Sequence, residues 1–306
     1  MLIGEPAQTQ FDINFTLPGG IRVRISAFFW LAVLIIGWNM TQSISKSPDG
    51  APVLTPDPTL ILLWAGAMFL SILIHELGHV LAFRRYGISS HIVLYHFGGL
   101  AVPDSFSSFG GARGNRLDSK AQIVVSAAGP AAQLLLALFV ILVVRSTGCA
   151  VTSPASLGLQ PFTIFHLDPA FLWGASPNRL SNPILNNLAF YILWPSIYWA
   201  ILNLAPLYPL DGGQIAREAL LLHDPHQGIR RSLVLSVATG AAVAVWAISS
   251  GQTMLAIMFG MLAFGSYQML QQYSGRGGGF GGGGGFGGGG GFGGGGGFGG
   301  GGGRGW

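Results

Sequence analysis

Five consecutive residues, His75-Glu76-Leu77-Gly78-His79, have the types and the spacing of a zinc site. On an α-helix the two histidines are one turn apart and face the same way, so both imidazoles can bind one Zn²⁺ ion. Glu76 lies beside them without being needed as a ligand, and its carboxylate can take a proton from water. The pentapeptide therefore predicts a hydrolytic metal centre, with His75 and His79 as ligands and Glu76 as the general base.

The residues around this pentapeptide are apolar from position 59 to position 83. A run of this length can cross a bilayer, which requires about 20 apolar residues. Ionisable groups are costly in hydrocarbon, so three of them within five positions indicate a functional site. The sequence thus predicts a metal site inside a membrane span instead of on a water-facing helix.

A catalytic zinc site needs a third protein ligand, and Asp211 is the candidate. It follows Asn203-Leu-Ala-Pro-Leu-Tyr-Pro-Leu at the end of another apolar segment. The single cysteine, Cys149, excludes a cysteine-rich site and leaves histidine and carboxylate as ligands. The spans that carry His79 and Asp211 run parallel, so both residues are expected near the same membrane face. The other interpretation of Asp211 is a helix-end turn residue before two glycines.

The composition is that of a polytopic membrane protein, because half of the 306 residues are hydrophobic and only 8% are charged. The net charge of +4 needs no nucleic-acid partner, since the basic residues are spread over short loops. We predict an all-α membrane fold of about six transmembrane helices, with a three-helix catalytic core over residues 59–215. Residues 91–103 predict a short membrane-associated β-hairpin. The expected spans are 26–44, 59–83, 121–144, 184–210, 232–250 and 252–273.

Basic residues predict the orientation of the chain. With the N-terminus in the cytoplasm, twelve of the 15 Lys and Arg residues fall in cytoplasmic segments, so both termini are expected there. His79 lies five residues before Arg84, which puts the site near the cytoplasmic face. The external loop 146–183 is expected to lie along the outer interface. The expected divisions are a cytoplasmic segment 1–25, a transmembrane catalytic domain 26–273 and a disordered Gly/Phe-rich tail 274–306.

Three motifs, in this order, closely resemble the site-2 protease family of intramembrane zinc metalloproteases. They are the HExxH pattern at 75–79, Gly129-Pro130 in the next span, and Asn-x-x-Pro-x-x-Pro-Leu-Asp-Gly from Asn203 to Gly212. The resemblance implies one Zn²⁺ held by His75, His79 and Asp211, with Glu76 as the catalytic acid and base. It also implies Asn203 near the substrate carbonyl, and cleavage of a membrane-spanning protein in pathways that release a regulator. We expect a multi-pass protein of a prokaryotic cell membrane.

Gln133 follows Gly129-Pro130 at a position where site-2 proteases often carry Asn. Its amide is expected to hydrogen-bond the metal ligands or the substrate backbone, without a direct catalytic role. Close helix packing explains the small residues before it equally well. His91 and His96 are expected to have structural roles, because the zinc ion already has three ligands.

Two other functional classes share part of this pattern. A catalytically silent membrane scaffold or binding protein would keep the fold, but it has no need for Glu76 beside intact ligands. A zinc transporter would need polar residues along a complete transmembrane path, and the first, fifth and sixth apolar segments have almost none. The sequence therefore favours an intramembrane zinc endopeptidase.

Overall fold

The computed structural model describes residues 7–46, 52–96, 98–104, 117–149, 151 and 180–277. Most of these residues are helical. The helices, in chain order, are α1 (Ala27–Gly37), α2 (Pro58–Arg85), α3 (Ser119–Ser146), α4 (Pro183–Asn203), α5 (Asp211–His223), α6 (Gly228–Ser249) and α7 (Thr253–Gly277). The strands are β1 (Ile13–Leu17), β2 (Ile21–Ile25), β3 (Gln42–Lys46), β4 (Pro52–Pro56), β5 (Ser90–Tyr95) and β6 (Gly98–Pro103).

Five of the described helices are long and apolar enough to cross a membrane, namely α2, α3, α4, α6 and α7. They match the second to sixth apolar segments, so the prediction of a multi-pass, mainly helical membrane protein is confirmed. Helices α6 and α7 form a tight hairpin, in which Gly251 takes a φ of +70° that favours glycine.

The first apolar segment, 26–44, differs from the expected span. Only Ala27–Gly37 is α-helical, and this helix extends about 16 Å, roughly half of the hydrocarbon thickness. It runs antiparallel to α2, since the Trp64 indole N–H donates to the Val33 carbonyl at 2.8 Å and the Asp57 N–H donates to the Thr41 carbonyl at 3.0 Å. The segment that consists of β2, α1 and the following turn therefore extends to the N-terminal end of α2.

The ends of the site-bearing helices follow from local chemistry. Asp57 caps α2 by accepting hydrogen bonds from the first free N–H groups, and Pro58 occupies the first turn, where it needs no hydrogen-bond partner. Arg84 and Arg85 lie in the last turn of α2, where positive charge is favourable. Asp118 caps α3 in the same way. These signals place the HExxH residues in the C-terminal half of a 28-residue helix.

The predicted β-hairpin is β5–β6, and it belongs to a larger sheet than the sequence indicated. Its strands are ordered β1-β2-β5-β6, with β2 parallel to β5 and the other pairs antiparallel. The N-terminal residues expected as a simple cytoplasmic segment thus supply two strands, and β3 and β4 form a second small sheet. Strand β6 ends the four-stranded sheet and lies against α2.

The predicted three-helix core consists of α2, α3 and α4, which pack against one another. Trp64 and Tyr191 are fully buried between these elements. A Cβ atom on Gly78 would overlap the Ala128 carbonyl, so glycine allows α2 and α3 to approach closely at the HExxH turn. Most of loop 146–183 and of tail 274–306 lies outside the described residues, and the predictions for them remain predictions.

Candidate metal centre

Three side chains from two distant parts of the chain converge at one point. The Nε2 atoms of His75 and His79 are 3.1 Å apart. The Asp211 carboxylate places Oδ2 3.1 Å from His75 Nε2 and Oδ1 3.4 Å from His79 Nε2. Both imidazoles are buried and Asp211 is largely buried. Within the described residues, these three form the cluster of metal-binding side chains that the sequence predicted.

The spacing of these atoms fits a zinc ion. A tetrahedral site with bonds of about 2.0–2.1 Å separates its ligand atoms by about 3.3 Å, close to the observed distances. His75 Nδ1 faces the Gln133 Oε1 atom at 3.0 Å, and His79 Nδ1 faces the Val125 carbonyl at 2.7 Å. Because both partners are acceptors, each Nδ1 carries the proton, and each Nε2 is left to bind a metal or an additional proton.

Asp211 is suited to act as an anionic ligand. Burial would raise the pKa of its carboxyl group, but hydrogen bonds and charge interactions with the His75 and His79 side chains outweigh burial and hold this pKa at about 2. The carboxylate is therefore ionised at neutral pH, the form in which carboxylates bind metal ions. His75, His79 and Asp211 are thus the residues that would hold a zinc ion.

Asp211 begins α5, whereas the sequence predicted it at the end of the fourth span. Helix α4 stops at Asn203, and a loop with two prolines precedes Asp211. The loop is held at Tyr208, whose N–H donates to Ser236 Oγ at 3.0 Å and whose carbonyl accepts from Ser266 Oγ at 3.2 Å. These serines lie on α6 and α7, so the last two helices position the third ligand.

The wall opposite the histidines is formed by Gly129 on α3. A Cβ atom at this position would overlap Nε2 of His79 and contact Nε2 of His75. The Gly-Pro motif therefore has a steric role at the metal centre, beyond the helix packing considered from the sequence. Glycine is required here because the ligand atoms occupy the space that a methyl group would fill.

Glu76 lies beside the cluster and is positioned by strand β6. Its carboxylate is buried and accepts a hydrogen bond from the backbone N–H of Ala101. A Cβ atom on Gly99 would overlap the same carboxylate, so glycine at this register leaves room for it. Sequence reasoning predicted the strand but not these two contacts, since cross-element register cannot be read from local patterns.

Gln133 is fully buried and both ends of its amide are used within the protein. Its oxygen faces His75, as described above, and its nitrogen donates to Ser71 Oγ at 2.8 Å. Ser71 also lies 3.0 Å from Ser196 Oγ, which links α2 to α4. The Gln133 amide was expected to hydrogen-bond either the metal ligands or the substrate backbone. The structure places His75, a candidate metal ligand, beside it, and the amide is not directed at an open substrate site.

The cluster of metal-binding side chains does not include Asn203 or His91. Asn203 is the last residue of α4, and no hydrogen bond joins its side chain to His75, His79 or Asp211. His91 Nδ1 lies 2.8 Å from Asp104 Oδ1 on the sheet, which agrees with the structural role expected for this histidine.

Replacing Gln133 with Leu is expected to weaken zinc binding by about 10–100-fold, because His75 loses the acceptor that fixes its tautomer and ring orientation. Zinc affinity can be measured by chelator competition, with the absorption spectrum of the cobalt-substituted protein reporting ligand geometry. Gln133→Glu keeps an acceptor and should recover most of the affinity. Gln122→Leu, on the same helix but bonded to Gln214, is the matched control. Equal zinc affinity in Gln133→Leu and wild type would refute this role.

Comparison with known proteins found a matching family and similar chains. Residues 63–246 match the family described as Peptidase family M50. Rip3, named as a zinc metalloprotease, from Mycobacterium tuberculosis strains Erdman and H37Rv, is 28% identical over 194 residues. The alignment covers 62% of this chain and only 39% of that relative's length. The solved Site-2 Protease from Methanocaldococcus jannaschii is 20% identical, with a TM-score of 0.45, over 85% of this chain and 95% of that chain.

Proposed function

This chain belongs to peptidase family M50, and from that premise we propose that it is an intramembrane zinc endopeptidase that cleaves membrane-spanning segments of other proteins. The observation that carries the proposal is the convergence of Asp211, at zinc-ligand spacing, with His75 and His79 on a helix capable of spanning a membrane. Glu76 lies beside them as an unliganded carboxylate. A silent scaffold would not need this combination.

The proposed metal ligands are His75 Nε2, His79 Nε2 and one or both Asp211 oxygens. A zinc ion bound there would polarise a carbonyl group and lower the pKa of a water molecule. Both imidazole rings are oriented for this ion because each Nδ1–H donates to an acceptor, Gln133 Oε1 for His75 and the Val125 carbonyl for His79. Burial of the site limits its access to water and strengthens its electrostatic interactions.

Glu76 is proposed to accept a proton from water and to deliver it to the leaving amine. General acid and base catalysis of this kind contributes about 10²–10⁴-fold to the rate. The Ala101 N–H donates to the carboxylate, which restricts its rotation. Glu76 therefore has the position and the acceptor capacity that the reaction needs.

Strand β6 is the proposed docking edge for the substrate. It is the last strand in the order β1-β2-β5-β6, so within the described residues one of its edges has no strand partner. Gly99 and Ala101, which contact Glu76, lie on this strand. A transmembrane helix keeps its carbonyls hydrogen-bonded, and strand addition would supply main-chain partners to a segment that unwinds for cleavage.

We propose that the site lies near the cytoplasmic face of a prokaryotic cell membrane, and that cleavage releases a membrane-tethered regulator. His79 precedes Arg84 by about 7 Å of helix. The N-terminal strands lie at this same end of α2, since Arg84 donates to the Gly19 carbonyl at 2.7 Å. The excess of basic residues expected on this side supports a cytoplasmic location.

The test is cleavage of a single-span reporter protein by the full chain in lipid nanodiscs. We expect cleavage within the transmembrane segment, loss of activity after zinc is removed by a chelator, and recovery when stoichiometric zinc is restored. Zinc flux across proteoliposomes without cleavage would favour the transporter, and zinc binding with neither activity would favour the scaffold. Cleavage that is insensitive to chelation would contradict the proposed zinc mechanism.

A further inference from the structure

A cavity lies among α5, α6 and α7 and has a volume of about 260 Å³. Its lining does not include His75, His79 or Asp211. Its lining combines polar and apolar side chains. Arg217, Gln272 and Tyr273 supply hydrogen-bond donors, and Leu233 and Met269 supply an apolar surface. This combination is typical of a site for an amphiphilic molecule.

Arg217 is the charged residue of the lining, and it makes no hydrogen bond with any described residue. Its Nε atom is buried without a hydrogen-bond partner, although its side chain as a whole is 41% exposed. The neighbouring Glu218 carboxylate forms an ion pair with this Nε atom at 3.9 Å, a distance too long for a hydrogen bond, and it accepts a hydrogen bond from Ser119 at 2.7 Å. The guanidinium group therefore has donors left for an anion.

The remaining charges near the cavity do not neutralise Arg217. No acidic residue lines the cavity, and the Asp224 carboxylate is 3.3 Å from Arg231, with which it forms an ion pair. The surroundings of the cavity thus favour a negatively charged group over a cation or a neutral one.

The position of the cavity indicates the source of this anion. Its lining comes from the first turns of α6 and the last turns of α7, and both helices are able to span a membrane. The ends of such helices lie at the level of lipid headgroups, where arginine is favoured. Phosphate groups at this depth belong to phospholipids.

We propose that this cavity binds the phosphate headgroup of an anionic phospholipid, such as a phosphatidylglycerol. Arg217 donates to the phosphate oxygens, and Gln272 and Tyr273 donate to the phosphate or to headgroup hydroxyls. Leu233 and Met269 contact the glycerol and the first methylenes of an acyl chain. The site is independent of the proposed peptidase reaction, although Tyr208, which belongs to the loop that carries Asp211, also lines the cavity.

The experiment is native mass spectrometry of the full chain released from nanodiscs of phosphatidylcholine and phosphatidylglycerol at a 3:1 ratio. We expect the wild type to retain one phosphatidylglycerol in preference to phosphatidylcholine. Arg217→Gln should lower this preference by about tenfold, because the charge-assisted hydrogen bonds are lost. Arg230→Gln makes the same change in charge on a neighbouring helix end that does not line the cavity, and it should retain the lipid as the wild type does.

A second variant tests the cavity without changing charge. Met269→Trp fills part of the volume and should also lower phosphatidylglycerol retention, while circular dichroism reports whether the fold is kept. Equal loss in Arg217→Gln and Arg230→Gln would overturn the proposal, because retention would then depend on total charge. Binding of inorganic phosphate by the delipidated protein, without selective lipid retention, would overturn it in favour of a soluble anion.

Discussion

Replacing Glu76 with Gln is expected to lower the rate of peptide-bond cleavage by about 10²–10⁴-fold, while the bound zinc remains near one equivalent. Glutamine has nearly the same shape as glutamate, and its amide oxygen can still accept from Ala101. The amide cannot take a proton from water at neutral pH, so the chemical step loses its base. The measurement is cleavage of a single-span reporter in nanodiscs, with zinc quantified by elemental analysis on the same sample.

The matched control for this variant is Glu218→Gln. Glu218 lies on α5, where its carboxylate accepts a hydrogen bond from Ser119, and it is outside the metal cluster. The same chemical change there should leave cleavage within a few-fold of the wild type. If Glu76→Gln cleaves the reporter at the wild-type rate with one zinc bound, the assignment of Glu76 as the base is wrong.

Replacing Gly129 with Ala is the second change with a large expected effect. It should disturb the metal site, whereas alanine is well tolerated in a helix. A methyl group here would overlap the ligand nitrogens of His75 and His79, so one imidazole or the backbone of α3 must move. We expect zinc affinity to fall by more than the roughly 10–100-fold that loss of an outer hydrogen-bond partner costs. Cleavage should fall with zinc occupancy and recover in part at high zinc concentration.

The stability of this variant separates a metal effect from a folding effect. In a helix interior, alanine is more favourable than glycine by about 1 kcal/mol. In the presence of a chelator, helix propensity therefore does not lower the free energy of unfolding of Gly129→Ala below that of the wild type. Gly66→Ala, at a position on α2 where a Cβ atom meets nothing within 4 Å, is the control and should bind zinc normally. Wild-type zinc affinity in Gly129→Ala would contradict the placement of α3 against the ligands.

Local patterns were sufficient for the features that depend on near neighbours in the chain. The i, i+4 spacing of His75 and His79 places both imidazoles on one helix face whatever the rest of the fold does. Long apolar runs predicted six spans, of which five are helices of membrane-spanning length. β-Branched and aromatic residues before two glycines predicted the β5–β6 hairpin. Asp211 was chosen as a candidate from a zinc site's need for a third ligand, and a count of spans then placed it near the same membrane face as His79.

The first apolar segment shows where hydropathy alone was insufficient. Residues 26–44 are apolar enough to be a helix, yet α1 ends at Gly37. A strand on the N-terminal side pairs with β5, as in the match of Val23 with Ile92. Hydropathy measures the free energy of transferring side chains into hydrocarbon. It does not show which distant strand will hydrogen-bond to the backbone of a given strand.

The sequence by itself determined that His75 and His79 share one helix face, that Glu76 lies beside them and that an apolar helix carries them, because these features depend on helical periodicity and on the transfer of side chains into the bilayer. Only the tertiary structure decided that Gln133 faces a ligand, that Gly129 leaves room for two imidazoles, and that Asp211 begins a new helix held through the Tyr208 loop. These features join residues tens of positions apart. Their distances and orientations follow from how whole helices pack, which no local pattern in the chain encodes.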